Sequence, residues 1–287
     1  MIFAIDLPKD ARWFQIAAQS IIIAVGLIVL DFRITSPQIA AAIGAALAAQ
    51  GLCSALFASR FDWKSAAITG LSLCLLLRAN DIWPFVAAAA IGVGSKFALR
   101  RNGRHVFNPA NIGIIAILSV GVFGAGSGAW TSTGEWGSAA WLALMIACLG
   151  AITCWRASRL DAALIYLCVY ATLVLGRALY LGDPIEIASL RLTHGALVLF
   201  AFFMISDPKT TPEDPRERAL FVGLAALFAY VLQFHFFVSD GIFLAPFVLA
   251  LARFILLRPN GPAYQWGREP APLRLAAEKM PAIVAAE

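Results

Sequence analysis

Apolar runs separated by short polar breaks recur along the whole chain, and their lengths limit what it can fold into. The runs extend over Trp13 to Phe32, Pro37 to Phe57, Ala66 to Leu77, Ile82 to Leu99, Pro109 to Phe123, Ala139 to Cys154, Ala162 to Leu181, Thr193 to Ile205, Ala219 to Phe234 and Gly241 to Leu257. Many approach the roughly 20 residues with which a helix crosses hydrocarbon. Ordinary soluble domains are about half apolar and a quarter charged, whereas here 61% of the residues are hydrophobic and 14% charged. The expected fold is an all-α polytopic membrane protein of about ten transmembrane helices. They form one domain over residues 1–258, followed by a loose cytoplasmic tail over 259–287 that is rich in Pro, Gly and Ala.

The opening "MIFAIDLPKDARWFQ" lacks the order charged, apolar, small-residue cleavage site, so the first run is expected to be a retained helix. With the N-terminus inside, eighteen of the 22 Lys and Arg fall on the cytoplasmic side, and only Arg33, Arg78, Arg177 and Arg191 fall outside. That bias favours an even helix count and both termini in the cytoplasm; the expected location is a bacterial-type inner membrane. Topology and anionic lipid then account for the net charge of +5, and no aromatic-interleaved basic patch points to nucleic acid. Cys53, Cys74, Cys148, Cys154 and Cys168 lie inside apolar runs with no C-x-x-C pair, so they read as packing residues and no metal site is expected.

The third and eighth runs are short for spanning helices, and each ends in a polar cluster, "LLLRAND" and "FMISDPKTTP". "ITGLSLCLLL" and "THGALVLFAFF" align Thr69-Gly70 with His194-Gly195. Five runs per half is an odd number, so a second copy enters from the opposite side. The expectation is two inverted five-helix repeats, about 12–123 and 138–257, with a site between them where short helices end.

The polar residues cluster at helix ends. In "RHVFNPANIG", Asn108 before Pro109 reads as a helix cap with proline in the first turn. The exposed N–H groups and dipole, with Arg100, Arg101, Arg104 and His105 nearby, suit a phosphate, a flavin edge or a quinone carbonyl. Asp214-Pro215 is an ordinary helix start. Asp207-Pro208 follows an apolar run directly, and with Ser206, Thr210 and Thr211 is placed either to cap or to accept from a ring N–H or hold a cation. Asp240-Gly241 opens the last helix, where a carboxylate is favourable. Arg78 and Asp81 are spaced to pair on the outer side. His194 and His235 lie at helix ends without haem spacing, as interfacial packing residues.

Together "ITGLSLCLLL", "HVFNPANIGIIAIL", "GALVLFAFFMISDPKTTP" and "SDGIFLAPFVLALARFILL" resemble, in order and spacing, the RnfD/NqrB family. Its members are membrane subunits of the Rnf electron-transport complex and of the Na⁺-translocating NADH:quinone oxidoreductase. The resemblance covers roughly Ala66 to Leu257. It implies a urea-channel-like fold and electron transfer through membrane-bound flavin, with cation movement in the full complexes. It places Phe107, Asn108, Pro109 and Asn111 in one family element, Asp207, Pro208 and Thr210 in a second, and Asp240 and Gly241 in a third. These residues other than Pro208, with Arg104, His105 and Lys209, are the candidate cofactor-binding residues. Family members also carry covalent FMN on a Thr in a long outer loop. Here that loop, "GAGSGAWTSTGEWGS", is short, with Thr131 or Thr133 as degenerate acceptors. The expected cofactor is therefore non-covalent flavin, FMN or riboflavin, with quinone as the other option.

No nucleophile with a base and no Walker or dinucleotide loop is present, so any chemistry belongs to a bound cofactor. The leading expectation is an electron-relaying subunit whose partners are membrane, flavoprotein or iron–sulfur subunits, including the one that binds NAD(P)H. A small-solute transporter or channel, or a scaffold that anchors redox partners, are the competing expectations.

Overall fold

The computed structural model describes residues 8–101, 104–121, 126–134, 136, 140–256 and 264–266. Most of the tail expected over 259–287 and part of the outer loop lie outside these residues. Among the described residues the chain forms eleven α-helices. They are α1 (Ala11–Val29), α2 (Ser36–Leu56), α3 (Trp63–Leu76), α4 (Trp83–Ala98), α5 (Pro109–Val120), α6 (Ala140–Arg156), α7 (Leu160–Leu181), α8 (Ile185–Leu192), α9 (Gly195–Phe200), α10 (Pro215–Phe234) and α11 (Gly241–Leu256). Each of the ten apolar runs lies on a helix. The eighth continues from α9 into a π-helical segment, Ala201–Ile205.

The helix count differs from ten because of α8, whose eight residues "IEIASLRL" bury only Ala188 and are too short to show a period. Length separates the helices further. Helices α1, α2, α7 and α10 are long and apolar enough to cross a membrane, and α8 with α9 and its π segment, bent by 44°, makes a fifth candidate. Helices α3, α4, α5, α6 and α11 are apolar but shorter. Outward faces carry Ile28, Leu56, Leu144 and Leu179, all largely exposed. Such faces need lipid to cover them, and the chain is a membrane protein on this ground.

Local chemistry sets the boundaries. Asp10 accepts from the Arg12 N–H at 3.0 Å to cap α1. At α2 the Gln38 side chain returns to the Thr35 N–H at 2.9 Å in a capping box. Asp214 accepts from the Arg216 and Glu217 N–H groups at 2.9 and 3.0 Å, the helix start expected at Asp214-Pro215. Gly182, at φ +72°, ends α7 in the left-handed conformation that glycine adopts without strain.

In the first half α3 lies against α1 and α2, α4 against α2, and α5 against α4; in the second, α9 and its π segment lie against α6 and α7, α10 against α7, and α11 against α10. The halves meet through α1 with α6 and α5 with α11. The contact of α4 with α5 is close: a Cβ on Gly92 would stand 2.3 Å from the Pro109 carbonyl oxygen, and one on Gly113 2.3 Å from that of Ala88.

Extended pieces cap the short helices. Strand β1 (Leu77–Ala79) continues α3, and β2 (Arg100–Arg101) follows α4 and pairs antiparallel with β3 (Arg104–His105), Arg100 opposite His105. Strand β4 (Ala129–Thr131) pairs antiparallel with β1, Leu77 opposite Thr131. Arg78, expected at the outer surface beside Asp81, is instead fully buried. Its Nη1 donates to the Cys74 and Leu77 carbonyls at 2.7 and 2.8 Å, and its guanidinium lies over the Phe32 ring. The backbone breaks at β1 leave carbonyls inside the bundle that a cation can satisfy.

Candidate cofactor site

Two short helical segments from opposite halves end at one place. The Asn108 side-chain oxygen accepts from the Ala110 and Asn111 N–H groups at 3.1 and 3.2 Å, the cap that Asn-Pro foretells. Its Nδ2 then donates to Asp207 Oδ2 at 3.2 Å, across 99 residues of chain. Asp207 follows the π segment and Ser206. Its Oδ1 accepts from the Lys209 N–H at 2.9 Å and its carbonyl from those of Thr210 and Thr211. Asn108 is therefore a helix cap and Asp207 closes a turn, and the second polar atom of each side chain joins the two halves.

Beside this contact lies a cavity of about 310 Å³. Asn108, Pro109 and Ala110 line it from α5, Ser206 to Lys209 from beyond the π segment, and His105 from β3. Phe202, Phe203 and Cys154 supply apolar wall, and Gln50, Ser65, Thr69, Ser72 and Lys96 close it from the first half. Ser206 donates to the Phe202 carbonyl at 2.5 Å, and the Cys154 thiol to that same carbonyl at 3.0 Å. The widened π turn positions this carbonyl next to the cavity, a place where such turns often serve a site.

The cavity is cationic. Arg12, Arg60, Lys96, Arg100 and Lys209 line it, against Asp62 and Asp207. Arg12 is already held by Asp62 at 2.7 Å and Asp10 at 2.8 Å. Burial pushes the His105 imidazole down to about 3, aided by the charges of Lys96, Lys209 and Arg100, so it is neutral at pH 7. Burial pushes the Asp207 carboxyl up from its ordinary range, opposed by the Lys209 N–H, the charges of Lys209 and Lys96, and the Asn108 amide. Burial lowers the Lys209 ammonium, with Asp207 opposing.

Of the residues picked out from sequence, His105, Asn108, Pro109, Asp207 and Lys209 border the cavity. Others hold the helices around it. Phe107 stacks on Phe247 of α11 at 4.9 Å, and Asn111 donates to the Phe243 carbonyl at 3.0 Å. Arg104 is buried with Glu213 4.0 Å away, and the Thr210 hydroxyl turns to the Asp207 carbonyl at 3.3 Å. Asp240 and Gly241 stand apart from the cavity. Asp240 accepts from the Thr131 hydroxyl at 2.6 Å, itself 3.0 Å from that of Thr133. Gly241 fits closely on α10, where a Cβ would stand 2.9 Å from Leu232. Thr133 borders a second cavity of about 240 Å³ with Tyr170, Arg191, His194 and Gln233, at the opposite end of α9 and its π segment. His194 caps α9 through Nδ1.

Sequence reasoning passed over Gln50 and Lys96 as site residues. The signal was present: Gln50 is a polar group inside one apolar run and Lys96 the one charged group inside another, the pattern that inside a membrane marks function by default. Among the described residues no group of three or more His, Cys, Asp or Glu is placed to hold a metal, and the cysteines are free thiols. No protein-family model matches the chain, and no characterised protein of known sequence matches it.

Proposed function

We propose that the chain is the membrane subunit of an electron-transport complex and holds a flavin non-covalently in the 310 Å³ cavity between its halves. The observation that carries this reading is the Asn108–Asp207 contact. It brings together, at a cavity wall, two of the three elements on which the resemblance to the RnfD/NqrB family rests. The cavity has the size of a small-molecule site at the lower end of the usual range. It offers Phe202 and Phe203 to a ring system and Asn108 and Asp207 to a polar edge. Gln50 Oε1 is buried without a hydrogen-bond donor among the described residues, and a ring N–H or ribityl hydroxyl supplies one.

In this reading the bound flavin supplies the electron chemistry, and the protein binds, orients and insulates. Neutral His105, and Asp207, whose carboxyl burial raises from its ordinary range, are the groups that would hydrogen-bond the ring edge. The apolar wall excludes water. The matching contact order of α1–α5 and α6–α11, with α1 meeting α6 and α5 meeting α11, supports two inverted repeats. The lysine and arginine distribution supports cytoplasmic termini, and the bacterial-type inner membrane follows from the resemblance. Ion movement, NAD(P)H-binding partners and the role of Thr131 and Asp240 follow from the resemblance alone.

A channel for a small solute is the second reading, favoured by the 240 Å³ cavity at the other end of α9. Phe200, Phe243 and Tyr166 are fully buried and packed edge-on or tilted between the two cavities, which speaks for a relay. Protein purified in mild detergent decides. Flavin absorbance that bleaches with dithionite is expected; colourless protein that conducts solute in liposomes establishes the channel instead.

A further inference from the structure

Lys96 is the feature of the cavity that a neutral ligand leaves unexplained. It sits near the end of α4 with 4% of its surface exposed. Its ammonium donates to the Ser65 carbonyl and hydroxyl at 3.1 and 3.0 Å, which uses two of three N–H bonds. Among the described residues no carboxylate lies within ion-pair distance of it, because Asp62 is taken by Arg12 at 2.7 Å and Asp207 by Asn108 and the Lys209 N–H. A buried ammonium without a counter-charge is costly.

The surroundings add to the imbalance. Arg100, whose Nε donates to the Lys96 carbonyl, and Lys209, whose Nζ donates to the Tyr264 carbonyl, also border the cavity without a carboxylate partner among the described residues. A compact dianion with several acceptor oxygens meets these three cations at once.

We propose that the cavity takes a phosphate group, with Lys96 as its buried counter-ion and Arg100 and Lys209 completing the electrostatic clasp. This rests on the flavin reading only for what carries the phosphate: under that reading the cofactor is FMN and not riboflavin. A lipid phosphate or inorganic phosphate presents the same chemistry from another source.

The test uses purified full-length protein stripped of bound small molecules. FMN, riboflavin, inorganic phosphate and phosphatidic acid are added separately to wild type, Lys96→Met and Arg100→Gln, with binding followed by titration and thermal protection. FMN is expected to bind roughly ten- to a hundredfold more tightly than riboflavin, a preference that Lys96→Met abolishes and Arg100→Gln reduces. Arg100→Gln carries the test if Lys96→Met does not fold. Equal affinity for FMN and riboflavin overturns the phosphate site and leaves the flavin reading standing. Protection by phosphatidic acid or phosphate alone, lost in Lys96→Met, keeps the site and removes the flavin. No protection of wild type by any phosphate compound overturns the proposal.

Discussion

Asn108 performs two tasks with one amide, and its substitutions separate them. Asn108→Ala removes the acceptor for two N–H groups of α5 and the donor to Asp207, so the flavin-free protein is expected to lose about 1–2 kcal/mol, read as a lower thermal midpoint in detergent. Asp207→Asn keeps an oxygen for the Lys209 N–H but sets an amide NH2 against the Asn108 Nδ2, so a smaller drop in that midpoint and less retained flavin are expected. His105 makes a pH prediction. Its pKa in the fold is about 3, against 6.5 for the free side chain. Below 6.5 the unfolded chain takes up a proton that the fold refuses. The stability His105 contributes is therefore full above that value and declines as pH falls toward 3, by up to about 1.4 kcal/mol per unit. His105→Gln is expected to flatten the wild-type slope of midpoint against pH between about 7 and about 5, the interval in which free histidine charges. The capping role of Asn108 was legible in the sequence because caps are local grammar. The roles of Phe107 and Asn111 were not, because their partners lie on α11.

Among the elements, short helices build the site and tight helix contacts hold it. Gly92→Ala or Gly113→Ala would drive a methyl into the facing backbone carbonyl, forcing α4 from α5; a loss of roughly 1–3 kcal/mol and a smaller monodisperse yield in detergent are expected. Gly94, with nothing within 4 Å of where an added methyl would stand, is the control, and Gly94→Ala is expected to be neutral or stabilising by up to about 1 kcal/mol. The apolar runs located ten helices because length and hydropathy are properties of a segment alone. The π segment at Ala201–Ile205 and helix α8 escaped, since one depends on contacts with α6 and α7 and the other is only eight residues long.

For the bundle in its membrane, the proposed orientation predicts labelling in a cysteine-free background. An impermeant maleimide is expected to reach Tyr180→Cys, at an exposed end of α7, in intact cells, and Arg60→Cys only after lysis. The reverse pattern would turn the cavity to the outside and exclude a cytoplasmic electron donor. Hydropathy and capping act within a few residues of chain, so the apolar helices and the caps at Asn108 and Asp214 could be read from the residues alone. That Asn108 meets Asp207, that Lys96 faces the same cavity and that Asp240 stands away from it emerged only in three dimensions. Those facts depend on how two halves pack against each other, and close packing couples residues about a hundred positions apart that no local pattern relates.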